Sequence, residues 1–401
     1  MTLATDTKTV EGLVSLGDQY LGRTAPFEAD RPWWSEIADT TARLETLLGV
    51  PALVLRLVHA DRTDVGYGGR VVYHVQVTSQ PRSDALDRTP MAEWPEIARS
   101  HPLRAPWADA DGPHHLIEWA TEQVGVRRPV QVKTWNLSCL IRLEDVWAKA
   151  TRSFQSIDAE VIDQVRRHDP GLAPRVVAVD TVNRWSLLEH APGVDCWEPD
   201  PETAHDVVSR WVAVQAALAQ RVVNVPELLP HDLYGELDKL LAGDAGRQLT
   251  ADERAQAEQL LHGLPDIVAD LESAGLPITL VHGDFHPGNW RSDGTRRLIV
   301  DWADSYRGHP ATDLDRLLGW LPADQHPSLI ETWAVAWREQ YPNSQPHLSL
   351  LPMRVLARLI GAVTYQRFLD NIEPDERVYH EGDPAAQIRA ALTAYAQLRG
   401  E

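Results

Sequence analysis

Between Leu280 and Asp304 the chain reads LVHGDFHPGNWRSDGTRRLIVDWAD, and five of its side chains can do chemistry: His282, Asp284, His286, Asn289 and Asp301. Asn289 follows Asp284 by five positions, and Asp301 follows Asn289 by twelve. Phosphoryl transfer needs one carboxylate facing the acceptor hydroxyl to take its proton. It also needs an amide oxygen and a second carboxylate to hold a divalent cation against the phosphates. Asp284, Asn289 and Asp301 supply those groups in that order. Two apolar runs bracket them: Ile278 to Val281 reads as a buried strand entering a polar loop, and Leu298 to Val300 as a strand delivering Asp301 to the same place.

Two plainer readings stand beside this one. An Asp near an Asn in a Gly/Pro loop is common turn chemistry. The order His-x-Asp-x-His also suits a metal hydrolase, because imidazole and carboxylate bind zinc. A zinc site wants further ligands, however, and no second His/Asp/Cys cluster stands out in the sequence.

The spacing Asp-x-x-x-x-Asn, followed by a strand-borne Asp, resembles the catalytic loop and metal-binding Asp of protein kinases. With His-Gly-Asp opening the loop and Asp-Trp-Ala-Asp closing the set, the variant is similar to the aminoglycoside phosphotransferase and choline kinase branch of the kinase-like fold. The resemblance covers residues 129 to 400. It implies an α+β, protein-kinase-like architecture: a small antiparallel-sheet lobe, a hinge and a mainly helical lobe. It also implies an ATP- and Mg2+-dependent transfer to a hydroxyl of a small polar molecule. Aminoglycosides or other antibiotics, amino sugars or sugars, and amino alcohols all fit. Asp284 is then the catalytic base, and Asn289 and Asp301 are the magnesium ligands. His282 anchors the loop, and His286 lies on the substrate side. A protein acceptor is disfavoured, since no activation segment ending in Ala-Pro-Glu is recognisable. The runner-up is a non-catalytic, nucleotide-binding relative, against which the intact set of Lys149, Asp284, Asn289 and Asp301 speaks.

The elements that must position these groups divide the chain into a small α+β cap (1–128), a nucleotide lobe (129–190) and a helical lobe (191–401). In the cap, residues 1 to 30 read as an arm. A helix follows from Pro32, then a hairpin of Leu53 to His59 and Arg70 to Thr78 about an Asp/Gly turn, and a helix from His114 to Val124. In the nucleotide lobe, Pro129 to Glu144 reads as a hairpin whose turn, Trp135 to Ser138, is placed to cover phosphates with backbone N–H groups. The Gly-rich kinase loop is absent, and Ser138 offers a hydroxyl to a phosphate. The next strand ends in Lys149, which by resemblance bridges the α- and β-phosphates. Glu160, the only Glu on the helix Ile157 to Arg167, is its expected carboxylate partner. Two further strands run into His190-Ala191-Pro192-Gly193. By resemblance this is the hinge, where the Glu189 carbonyl and the Ala191 N–H meet adenine.

The last part of the chain reads as helices, opening at Pro201-Glu202 and including one with a Thr250-x-x-Glu253 capping box. After the metal motif, Gly308, Pro310 and Asp313-Leu314-Asp315 resemble the family's Gly-x-Pro-x-x-Asp-Leu segment. Asp313 is expected to start a helix and satisfy its free N–H groups. Leu350 to Leu369 is strongly apolar and reads as core, and by resemblance the helices after the metal motif form a wall of the acceptor pocket. Glu373, Asp375 and Glu376 read as a solvated acidic loop, with an amine-binding role as the alternative.

The 401 residues carry a formal net charge of -20, which disfavours nucleic acid and anionic membrane surfaces as partners. That charge suits a cationic small substrate as well as plain solubility. Two cysteines make no disulfide framework, so a reducing compartment fits. Met1 to Val10 lacks the apolar core of a signal peptide, and no apolar run reads as long enough to span a bilayer. The expected location is the cytoplasm.

Overall fold

The computed structural model describes residues 7–61, 66–219, 221 and 223–400. The first of its two units combines residues 1–152, 178–188 and 368–381; the second combines 153–177, 189–367 and 382–401.

The first unit is built on β1 (Lys8–Leu16), which pairs antiparallel with β2 (Gln19–Arg23) and β3 (Phe27–Ala29). Helix α1 (Ala38–Leu48) follows. Strands β4 (Ala52–Ala60) and β5 (Gly69–Val77) form the predicted hairpin, and β5 pairs parallel with β1. The Asp/Gly turn predicted between them falls partly on residues 62–65, outside the described residues. The expected arm at residues 1 to 30 is therefore sheet from Lys8 onward. Alternation does not reveal β1 because both of its faces are buried. Its buried polar groups are satisfied inside the unit: Lys8 Nζ donates to the carbonyls of Trp33 (2.9 Å) and Glu36 (2.8 Å), and Ser15 Oγ bonds His74 Nε2 (2.9 Å).

Short helix α2 (Trp94–Ala98) and helix α3 (Gly112–Val124) lead to a second sheet. It comprises β6 (Pro129–Thr134), β7 (Ser138–Leu143), β8 (Val146–Thr151), β9 (Val176–Asp180) and β10 (Trp185–Glu189), in the order β6-β7-β8-β10-β9. Of the expected solvated loop at residues 373 to 376, only Pro374 and Asp375 are exposed. Glu373 and Glu376 are buried. Arg104 forks onto Glu373, Nε lying 3.2 and 3.1 Å from the two carboxylate oxygens and Nη2 3.0 Å from one, while Arg56 Nη1 donates to Asp375 at 3.0 Å. Two buried arginines need anionic partners, and the late acids supply them. Burial pushes the Glu376 carboxyl up to about 8.

The second unit holds α4 (Asp158–His168), β11 (Val194–Asp195), α5 (Pro201–Leu218), α6 (Leu233–Ala242), α7 (Asp244–Arg247) and α8 (Ala251–Glu272). Strands β12 (Thr279–Val281), β13 (Trp290–Ser292), β14 (Arg297–Ile299) and β15 (Tyr306–Gly308) follow, then α9 (Ala311–Leu318), α10 (His326–Gln340), α11 (Leu350–Asp370) and α12 (Asp383–Arg399). On α5 the stripe Val207, Val208, Trp211, Val212, Gln215 and Leu218 is buried, as its spacing predicts. Thr250 and Glu253 form the predicted capping box at the start of α8. Contrary to the expectation above, Pro346–Asp370 does reach the length and mean hydropathy (1.3) of a membrane-crossing helix. Half of that apolar stretch is buried inside the fold, where Met353, Val355, Leu356 and Leu359 are core residues.

Candidate active site

Strand β12 pairs antiparallel with β15, Val281 opposite Tyr306, and releases the chain into the loop 282–289. Strands β13 and β14 pair with Trp290 opposite Ile299, and the Val300 N–H donates to the Asn289 carbonyl at 2.9 Å. This register brings Asn289 and Asp301, twelve residues apart in the chain, to the same end of one ladder. Asp301 is exposed and sits in the left-handed region at φ 64, an uncommon conformation for a non-glycine residue. Two glycines are required by space. Gly283 has φ +86 and a Cβ there would lie 2.1 Å from the Asp304 carbonyl oxygen; a Cβ on Gly288 would lie 2.4 Å from the Trp197 ring.

Three buried residues fix the loop. His282 donates from Nε2 to the Val300 carbonyl (3.1 Å) and accepts the Asp284 N–H at Nδ1 (3.3 Å), with its ring 4.6 Å from Trp302. Both bonds need the neutral ring, and burial pulls its pKa down to about 4. Asp313 accepts from Trp211 Nε1 (2.8 Å), Gln215 Nε2 (3.2 Å) and the N–H groups of His282 (2.9 Å) and Gly283 (3.1 Å). The expectation that Asp313 serves its own helix is thus corrected: the N–H groups it satisfies belong to the loop. Burial pushes its carboxyl up to about 6, against the pull of those donors. Asp158, buried at the start of α4, accepts the Trp302 N–H at 2.9 Å, directly after Asp301. Gln155 and Ser156 continue the attachment, to Asp304 Oδ1 (2.9 Å), the Ala303 carbonyl (2.9 Å) and the Ser305 carbonyl (2.8 Å).

Asp284 projects from this rigid base and is partly exposed. Arg316 of α9 places Nε at 3.0 Å and Nη2 at 2.7 Å from its Oδ1. Asn289 Nδ2 (3.2 Å) and His286 Nε2 (3.3 Å) meet Oδ2. Burial alone would raise the carboxyl, but the His286 hydrogen bond and the Arg316 charge outweigh it and hold Asp284 well below the usual carboxylate range. His286 packs against both Trp197 (5.3 Å, 25°) and Trp320 (5.0 Å, 28°), whose rings also meet each other at 5.5 Å, and the Arg316 guanidinium lies over Trp320 at 5.5 Å. Trp197 and Trp320 are 52% and 46% exposed, an aromatic surface next to the acid. Tyr365 of α11 stands near enough for the charges of Arg316, Asp284 and Asp304 to act on its hydroxyl, which burial pushes up to about 12.

The remaining candidates lie on other elements of the chain. Ser138 is buried at the start of β7, and its hydroxyl oxygen accepts the Trp135 indole N–H at 3.0 Å, closing the turn. That turn is itself pinned within the first unit: Trp107 Nε1 donates to the Trp135 carbonyl (2.9 Å) and Asn136 Nδ2 to the Glu376 carbonyl (3.3 Å). Lys149 is buried on β8 opposite Leu140. Glu160 lies off the buried stripe of α4, which runs through Asp158, Ala159, Val161, Ile162 and Val165, and its carboxylate accepts from Asn224 Nδ2 at 3.3 Å. Asp158 is the acid on the buried face, and sequence reasoning missed it. Glu189 ends β10 with its carboxylate 3.2 Å from Arg175 Nε, and the Ala191 carbonyl accepts from Arg291 Nε at 2.9 Å.

The donor set at the ladder end fits magnesium. Asn289 commits its amide nitrogen to Asp284, to both the carbonyl (3.0 Å) and the carboxylate (3.2 Å), which turns Oδ1 away as a hard oxygen ligand. The exposed Asp301 carboxylate is the second. Two protein oxygens plus phosphate oxygens and water are the usual magnesium complement. Among the described residues no group of three or more His, Cys, Asp or Glu side chains is placed to hold a metal, and both ring nitrogens of His282 are taken by backbone groups.

Residues 150–347 match the phosphotransferase enzyme family, APH. Solved structures similar to the chain include a choline/ethanolamine kinase family protein from Mesorhizobium loti, at 15% identity and TM-score 0.50, covering 71% of this chain and 99% of that one. Choline kinase LicA from Streptococcus pneumoniae is similar at 15% identity and TM-score 0.51, over 71% and 99% of the two chains. Aminoglycoside 2'-phosphotransferase-IIIa, solved as a GDP complex, is similar at 12% identity and TM-score 0.51, over 71% and 98%. At these identities the likeness is one of fold, and it is the kinase-like α+β fold. No curated protein matches the chain.

Proposed function

We propose, from the match of residues 150–347 to the phosphotransferase enzyme family, that the chain transfers the terminal phosphoryl group of ATP, with magnesium, to a hydroxyl of a small polar molecule. Asp284 orients that hydroxyl and takes its proton as the oxygen attacks phosphorus. Asn289 and Asp301 would hold the metal, whose chemistry there is charge neutralisation on the phosphates. Lys149 keeps its assignment to the nucleotide phosphates, and Glu189 and Ala191 theirs to adenine. Trp197, Trp320 and His286 form the acceptor side. One observation carries the reading: the β13–β14 register sets Asn289 beside Asp301, while the Asn289 amide holds Asp284.

The test is ADP release from magnesium ATP against aminoglycosides, amino sugars, sugars and choline-like amines, with Asp284→Asn as control. Acceptor-dependent ADP that vanishes in the variant supports the proposal. Tight ATP binding with no transfer to any acceptor would favour the non-catalytic relative instead. A hydrolase built on His282 and His286 predicts stoichiometric zinc in elemental analysis; the engagement of both His282 nitrogens speaks against it.

A further inference from the structure

An ionised carboxylate offers about four lone-pair sites, and four donors fill those of Asp284. Arg316 Nε and Nη2 occupy Oδ1, and His286 Nε2 and Asn289 Nδ2 occupy Oδ2. An acceptor hydroxyl therefore finds no free lone pair on the base until one donor leaves.

Two of the donors are fixed. The His286 side chain is 10% exposed and packed against two tryptophan rings, and its Nδ1 accepts the Gly288 N–H at 3.1 Å. Asn289 is tied through its carbonyl to Val300 and through Nδ2 to the Asp284 carbonyl. Arg316 is different. It is 38% exposed, and among the described residues no carboxylate other than Asp284 pairs with it. The ring of Trp320 beneath it gives the guanidinium a surface to slide along without losing its cation–π contact.

We propose that Arg316 is a displaceable cap on the base: it keeps water from Asp284 while no acceptor is bound and swings off across Trp320 when the acceptor hydroxyl arrives. The inference rests on the reading of Asp284 as the base. Without the cap, water takes the acceptor's place. Its oxygen bonds to the terminal phosphorus of ATP, and the bond from that phosphorus to the bridging oxygen breaks. One proton of the water passes to Asp284 and on to solvent, and ADP and inorganic phosphate leave. Arg316 is thus a positioning residue, and its loss shows as futile ATP hydrolysis rather than only as slower transfer.

The experiment measures ADP release from magnesium ATP with no acceptor present, in the wild-type chain, Arg316→Ala, Arg316→Lys and the double variant Asp284→Asn/Arg316→Ala. The expected result is a rise of about tenfold or more in Arg316→Ala, a smaller rise in Arg316→Lys, and loss of the rise in the double variant. ATP affinity and circular dichroism should match the wild type throughout. Unchanged or slower hydrolysis in both single variants overturns the cap, as does a rise that survives removal of the Asp284 carboxylate. Titration with magnesium ATP separates the two levels. A wild-type chain that binds no nucleotide removes the phosphotransferase reading together with the cap, whereas binding without faster hydrolysis removes the cap alone.

Discussion

His282 ties the stability of the loop to pH in a way that can be measured. Its folded pKa of about 4 lies below the ordinary 6.5 because the ring is buried. As pH falls, the unfolded chain takes the proton first. The contribution of the neutral ring is therefore complete above pH 6.5 and is lost as pH falls towards 4. At about 1.36 kcal/mol per pKa unit the full span is about 3 kcal/mol, of which about 2 kcal/mol disappears between pH 7 and pH 5. Other buried groups titrate as well: burial draws His309 down to about 3, and Asp313 at about 6 acts with the opposite sign. A wild-type pH curve alone is a sum, so the comparison is with His282→Gln. At pH 7 the variant should be less stable by about 1–3 kcal/mol for the bonds to Val300 and Asp284. At pH 5 the gap should shrink by about 2 kcal/mol. Urea unfolding followed by tryptophan fluorescence reads both values, with Trp302 beside the ring as reporter. A gap of the same size at both pH values would mean that the fold tolerates the charged imidazole and that the tautomer argument is wrong.

Asp284→Asn should lower turnover by about 10²–10⁴-fold while leaving the dissociation constant of magnesium ATP nearly unchanged, as single-turnover kinetics and calorimetry would show. Asp313→Ala strands the Trp211 indole N–H and the backbone N–H groups of His282 and Gly283; chemical denaturation should register a loss of about 3–5 kcal/mol. In Gly288→Ala the new methyl meets the Trp197 ring. The KM for the acceptor should rise while nucleotide affinity stays, and a rise in both would contradict the assignment of Trp197 to the acceptor side. Asp158→Ala frees the Trp302 N–H next to Asp301, and the magnesium needed for half-maximal activity should increase by about tenfold.

The strand-loop-strand arrangement that carries residues 282 to 301 is legible because spacing along a loop and ladder register are local properties. Most helices are legible too, since stripes such as that of α5 need only one sequence window. What stays hidden depends on distant partners. Asp158 shares the stripe of Val161, Ile162 and Val165, so helical spacing places it on the buried face, but nothing near it in the chain announces its bond to the Trp302 N–H. Arg316 stands one position beyond the Asp313-Leu314-Asp315 segment, and nothing in its neighbours announces that it reaches back to Asp284. Strand β1 is invisible to alternation because Lys8 and Ser15 are buried against groups that sequence proximity does not supply. The acids at 373 and 375 look solvated until Arg56 and Arg104, more than 260 residues earlier, are seen to pair with them.

That last pairing bears on how the chain reaches its native state during synthesis. Residues 1–152 and 178–188 leave the ribosome long before residues 368–381, yet all three segments make one unit. Until the late segment arrives, Arg104 lacks the Glu373 carboxylate it forks onto and has only the longer contact with Asp109 (3.7 Å), so burying its guanidinium is less favourable. The earliest-made part of the protein therefore completes its packing only with some of the last, whereas the segment 150–347, which matches the phosphotransferase enzyme family, is already fully translated. Release of chaperones from the N-terminal sheet should be timed by the emergence of the C-terminal acids.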